Sequence, residues 1–215
     1  MKVFKFTLFL AWLFFSNHIM AVESPRPLNE AGDLRLQSDL EALIAEQDLK
    51  TAVDTQKLSV VLVLVTDPNK PRLAELNGHN MLYAASLPKI AILLGAAVEI
   101  DDGRLRLSEE LHADLQNMIR YSCNPCATRV LEQVGREKLL EILQLPRFNF
   151  YNREEDGGLW VGKDYGPNAA YRRDPLSGLS HGATAFQVAR FYYKLHNGTL
   201  VSPQQTQLML EALSK

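Results

Sequence analysis

The chain has 215 residues, 47% of them hydrophobic and 22% charged, with a formal net charge of −2. That composition belongs to an ordinary globular protein with one sizeable core, and it excludes a disordered or fibrous chain. Near-neutral charge, with no basic run and no basic–aromatic interleaving, gives no sign of a nucleic-acid partner.

The first 21 residues read as a targeting segment. Lys2 and Lys5 form a positive start, residues 6–15 are apolar but short for a membrane span, and Ala21 offers a small residue for cleavage. A signal peptide over 1–21 and a folded domain over 22–215 are therefore expected, with export to the periplasm or exterior. No later stretch is long and apolar enough to span a bilayer after that cleavage.

Residues 33–49 carry Leu34, Leu36, Leu40, Leu43 and Ile44 at helical spacing. Residues 58–66 form a nearly continuous β-branched run, which predicts a buried strand, and Asp67-Pro68-Asn69 predicts a turn. A second strand is expected over 72–76, followed by the turn signal Asn77-Gly78. Four helical stretches follow, over 92–100, 108–119, 127–134 and 136–143. Residues 145–175 are rich in Gly, Pro and charge, with little periodicity; so long a loop in a compact domain usually serves a site. Trp160 and Tyr165 are candidates to line a cleft or to pack beneath that loop. Arg172, Arg173 and Asp174 suggest local ion pairs. His181 suggests a capping or supporting role ahead of a helix over 185–196.

Two segments carry chemistry. Ser86-Leu87-Pro88-Lys89 opens an apolar run, and residues three apart share a helix face, so the Lys89 amine can approach the Ser86 hydroxyl. A serine hydroxyl needs a neighbouring base, and a lysine desolvated by apolar surroundings can act as one. The same residues also suit a capping serine followed by a surface lysine. Further on, Ser122-Cys123-Asn124 lies between two helical stretches. It offers a hydroxyl to relay a proton and an amide to hold a carbonyl, or it simply caps the next helix together with Pro125. Cys123 and Cys126 are the only cysteines. Their C-x-x-C spacing allows a small disulfide or two inert thiols, and less readily a redox-active pair; no zinc set accompanies them.

Ser-x-x-Lys followed about 35 residues later by Ser-x-Asn is the order found in penicillin-recognising serine hydrolases. From about residue 34 onward the chain resembles the class A β-lactamase-like family. The resemblance implies an α/β fold of α+β type: a helical subdomain with an antiparallel sheet. It implies Ser86 as acylated nucleophile, Lys89 as its base, Ser122 as proton relay and Asn124 as a contact to substrate and lysine. Its substrate would be a small β-lactam or a peptidoglycan-like acyl compound, and no metal or organic cofactor is implied.

Three departures stand against the family pattern. The Lys-Thr/Ser-Gly motif is absent, so the resemblance implies a chain ending before the last three strands of a five-stranded sheet. The Glu-x-x-Leu-Asn loop motif is absent too, leaving Glu154 and Glu155 as candidate deacylation bases by position. Cys123 stands where class A enzymes usually carry Asp. The alternatives are a D,D-peptidase-like peptidoglycan hydrolase, or a binding protein that keeps the cleft without turnover.

Overall fold

A computed structural model describes residues 25–214; the expected signal peptide over 1–21 lies outside the described residues. A short 3₁₀ turn (Leu28–Glu30) leads into α1 (Leu34–Glu46). The Asp33 carboxylate caps α1 by accepting from the Leu36 N–H at 2.8 Å and also takes a fork of bonds from Arg72. Leu36, Leu40 and Ile44 are its buried stripe. After α2 (Lys50–Asp54), strands β1 (Val60–Leu64) and β2 (Arg72–Leu76) pair antiparallel, with Val60 opposite Leu76 and Leu64 opposite Arg72.

Alternation along these strands decides their packing. On β2, Ala74 joins the stripe of α1 while its neighbour Leu73 joins Phe186 and Tyr193 on the other face. Val61, Val63 and Val65 side with Leu73. The small sheet therefore lies between α1 and a later helix, with neighbouring side chains of β2 packed on opposite faces.

The core of the molecule is built on α3 (Lys89–Asp101), in which every residue from Lys89 to Glu99 is buried. Packed on it are α4 (Glu109–Arg120), α5 (Asn124–Val134), α6 (Arg136–Gln144) and α8 (Pro203–Leu213). A helix apolar all round can only be central. Gly95 lets α6 come close: a Cβ there would press on Leu139 Cδ1 and Val134 Cγ1. Among the charged residues of α3, Glu99 is held by a two-pronged bond from Arg104, which draws its pKa below the ordinary carboxylate range.

The expected loop over 145–175 contains short ordered pairs. β4 (Tyr151–Asn152) pairs with β5 (Gly157–Gly158), and β6 (Trp160–Val161) pairs with β7 (His181–Ala183). β7 also pairs with β3 (Leu82–Tyr83), giving the order β3-β7-β6. α7 (Ala185–His196) follows, capped by the Thr184 hydroxyl. Strands of two residues leave no periodicity to read, so the sequence shows only a loop there.

One test of this core is Leu93→Ala, at a fully buried position of α3. Denaturant unfolding should show a loss of about 2–5 kcal/mol, the range for emptying a packed leucine site.

Candidate active site

Ser86 was expected at a helix start, but α3 begins only at Lys89. Ser86 lies in the preceding turn, where Leu87 N–H donates to Ala84 O, Lys89 N–H to Ser86 O and Ile90 N–H to Leu87 O. These are three-residue, 3₁₀-type bonds, and in such a turn positions i and i+3 eclipse. Pro88 explains the boundary: it caps the helix without an N–H to give. The shared side expected for Ser86 and Lys89 thus arises from a tighter turn. Ala85 before it has a left-handed backbone (φ 45°), and the Ser86 N–H has no partner among the described residues.

Lys89 is 2% exposed. Its Nζ donates to Ser122 O at 2.6 Å, Asn124 Oδ1 at 2.8 Å and Ser122 Oγ at 3.0 Å. All three acceptors come from one turn between α4 and α5. Ser122 makes this possible with a left-handed backbone (φ 53°), uncommon for a side chain that gains nothing from it locally. In that conformation its carbonyl and its hydroxyl both reach the same amine.

Those acceptors are neutral, and no carboxylate pairs with Lys89 among the described residues. Burial therefore pushes the Lys89 pKa down from the ordinary lysine value. The face of the Tyr165 ring lies 4.7 Å from Nζ and works the other way, favouring the cation. A cation–π contact of about 0.5–2 kcal/mol is smaller than the several pKa units that full burial can impose.

The donor count has a chemical consequence. As an ammonium, Lys89 uses all three N–H groups on three acceptors. As an amine it has two, which go to the carbonyl oxygens of Ser122 and Asn124, since neither oxygen can donate. The lone pair then faces the Ser122 hydroxyl, the one partner able to turn from acceptor to donor. Ser122 can therefore follow the proton state of Lys89.

Ser86, Lys89 and Ser122 line one open cavity of about 140 Å³, with Met118, Tyr192 and Leu213 around it. A larger cavity of about 660 Å³ lies elsewhere, lined by His79, Glu155 and Arg190 among others. Glu155 faces that cavity and Glu154 a third one, with Arg153 and Gln144. The structure brings Ser86, Lys89, Ser122 and Asn124 together; it does not bring Glu154 or Glu155 to the Ser86 cavity.

The cysteines are joined as Cys123–Cys126, one of the arrangements their spacing allows. Cys123 caps α5, its sulfur accepting from the Cys126 N–H at 3.1 Å. Asp114 on α4 is buried and takes two bonds from Arg129 on α5, which holds the two helices together beside the Ser122 turn.

The segment 160–181 forms a wall beside Lys89, meeting it through the Tyr165 ring. Arg136 grips Asp164 with two bonds of 2.8 Å, and the Tyr165 N–H donates to Thr128 Oγ1. His181 packs at a tilt against the Tyr165 ring, is buried, and has its pKa lowered by burial, so it is neutral near pH 7. Trp160 packs under the loop against Tyr151, and its ring N–H donates to Arg172 O. Asp174 makes no ion pair among the described residues. It accepts from the Tyr151 hydroxyl and from the backbone of Leu176, Ser177 and Leu179, while Arg172 pairs with Glu137. The anchors of this wall join residues far apart in sequence, so no local pattern could have found them.

Gly162 tests the wall. A Cβ there would collide with the Arg172 carbonyl and the Trp160 ring nitrogen, the two groups bonded to each other. Gly162→Ala should cost about 1–3 kcal/mol in thermal or denaturant unfolding, the usual range for forced rearrangement in packed surroundings. An unchanged midpoint would show that the loop yields freely.

The profile of the β-lactamase enzyme family matches residues 44–122, which include Ser86, Lys89 and Ser122. No curated protein matches the chain. Solved structures do. An ancestral class A β-lactamase (GNCA) superposes with a TM-score of 0.56 at 18% identity, covering 78% of this chain and 71% of its own. The last common ancestor of Gram-negative bacteria class A β-lactamase (GNCA4) gives 0.54 at 19% identity, covering 76% and 68%. The β-lactamase of Sphaerobacter thermophilus gives 0.53 at 18%, covering 76% and 67%. The chain therefore has the class A β-lactamase fold, and the match to the β-lactamase enzyme family runs through the part of it that carries the Ser86–Lys89 turn and Ser122.

Proposed function

We propose that this chain is an exported serine hydrolase that opens β-lactam rings through an acyl-serine intermediate. The observation that carries the reading is the Lys89 amine, buried, held by Ser122 and Asn124, and sharing a cavity with Ser86. Ser86 Oγ attacks the lactam carbonyl and its proton passes to neutral Lys89, whose lone pair turns from the Ser122 hydroxyl toward Ser86 once substrate is bound. The unpartnered Ser86 N–H faces the developing oxyanion. Ser122 gives its proton to the leaving nitrogen and recovers one from Lys89, which restores the amine. Lys89 and Ser86 share no hydrogen bond in the free protein; such bonds often tighten only with substrate present.

Export is supported by the basic start, the short apolar run and Ala21. A disulfide also fits an oxidising compartment. No helix among the described residues is long and apolar enough to cross a membrane.

A second reading, a D,D-peptidase-like enzyme with a long-lived acyl-enzyme, is favoured by one observation. Neither Glu154 nor Glu155 lines the Ser86 cavity, and the Tyr165 ring covers Lys89. Deacylation needs a base able to activate water at the ester.

A fluorescent penicillin tests the reading. The full chain should be labelled covalently and Ser86→Ala should not, while remaining folded by circular dichroism. Labelling of Ser86→Ala at the original rate would overturn the assignment. Acylation should climb as pH rises through the lowered Lys89 pKa, because the neutral amine is the base. Lys89→Arg, which cannot deprotonate there, should lose about 10²-fold or more. The label's lifetime separates the two readings: a label lost quickly supports ring-opening turnover and one that persists supports the peptidase-like reading, while Glu154→Gln and Glu155→Gln should leave it unchanged because both carboxylates face other cavities.

A further inference from the structure

The three acceptors that hold Lys89 belong to just two residues, Ser122 and Asn124, and these flank Cys123 on either side. The Cys123–Cys126 disulfide closes a ring that contains Asn124. On the other side, the Cys123 N–H is tied to Asn117 O of α4 at 3.2 Å. The left-handed Ser122 is thus pinned between a backbone bond and a covalent cross-link, the over-determination that a strained residue requires.

The two sulfurs are unequal. Cys123 is partly exposed, whereas Cys126 is 4% exposed. An incoming thiolate therefore meets Cys123 Sγ first. Attack there makes Cys126 the leaving sulfur, and it too has support as a thiolate, beside that which the Cys126 N–H gives Cys123. Cys126 Sγ lies 3.6 Å from Arg129 Nη2, in the first turn of an eleven-residue helix whose N-terminus favours negative charge. Asp114 offsets part of the Arg129 charge but also fixes its position.

We propose that Cys123–Cys126 is a thiol–disulfide exchange site that sets the position of Lys89, so that the hydrolase site is assembled in the oxidised protein and loosened in the reduced one. The effect on acylation rests on the hydrolase reading above; the exchange and the loosening do not. The partner is a dithiol. One of its thiolates attacks Cys123 Sγ, the bond to Cys126 breaks, and Cys126 departs as a thiolate that takes up a proton. The dithiol's second sulfur then attacks the mixed disulfide and releases Cys123, which is protonated in turn. The protein disulfide gains two electrons and two protons, and the dithiol becomes a disulfide. A ring this short constrains the unfolded chain little, so the expected consequence is local geometry rather than global stability.

The test uses the full oxidised chain with and without dithiothreitol under native conditions. Alkylation followed by intact mass counts the free thiols, hydrogen exchange follows residues 121–128, and a fluorescent penicillin reports acylation. Reduction should release two thiols, speed exchange in that segment, and slow acylation roughly tenfold to hundredfold, the scale of a misplacement of about an ångström. Reoxidation should reverse all three. The double variant Cys123→Ser, Cys126→Ser should match the reduced protein. Failure to release thiols without denaturant would overturn the exchange site. Released thiols with unchanged exchange and unchanged acylation would overturn its control of geometry. If even the oxidised protein is never acylated, the hydrolase reading fails, and the thiol and exchange measurements still decide this proposal.

Discussion

The desolvation of one amine governs this structure. Lys89 begins a helix whose next ten residues are buried, so its stem has nowhere to go but inward. A buried ammonium without an anionic partner costs several kcal/mol, unless it is well hydrogen-bonded or gives up its proton. Here it is hydrogen-bonded fully, but only to neutral acceptors. That combination keeps the site intact while leaving the proton loosely held, which is what a base near neutral pH requires.

The surrounding elements serve that arrangement at one remove. α4 and α5 meet in the turn that supplies the acceptors, and the Asp114–Arg129 pair and the disulfide hold that turn from both sides. Arg136–Asp164 and Thr128–Tyr165 bring an aromatic ring against the amine. The ring excludes water and adds no charge. A carboxylate in its place would raise the Lys89 pKa and could activate water; Tyr165, its own pKa raised by burial, does neither at neutral pH.

Much of this was legible beforehand, for physical reasons. The helix over 34–46 carries clear helical spacing, and the strand over 60–64 lies in a nearly continuous β-branched run. Ser86, Lys89, Ser122 and Asn124 stand out as candidates because two short motifs occur at a telling separation, and the structure brings them together. What escaped was long-range or too short to be periodic. The two-residue strands β4 to β6 are specified by cross-chain pairing, not by local pattern. Asp174, beside two arginines in sequence, instead caps a turn and meets Tyr151, because backbone amides sit nearer than either guanidinium. Glu154 and Glu155 are candidates by position alone, in a loop without periodicity, and they face other cavities. The cysteine spacing left a disulfide and free thiols both open.

The most direct test of the account is the titration of Lys89 itself. With lysine labelled at ¹³Cε and the Lys89 resonance assigned by substitution, its chemical shift can be followed against pH in the intact folded chain. The account predicts a midpoint clearly below the ordinary lysine value of about 10.4, as burial among neutral acceptors requires. A midpoint at or above that value would mean an ordinary ammonium near neutral pH, and Lys89 could not be the base.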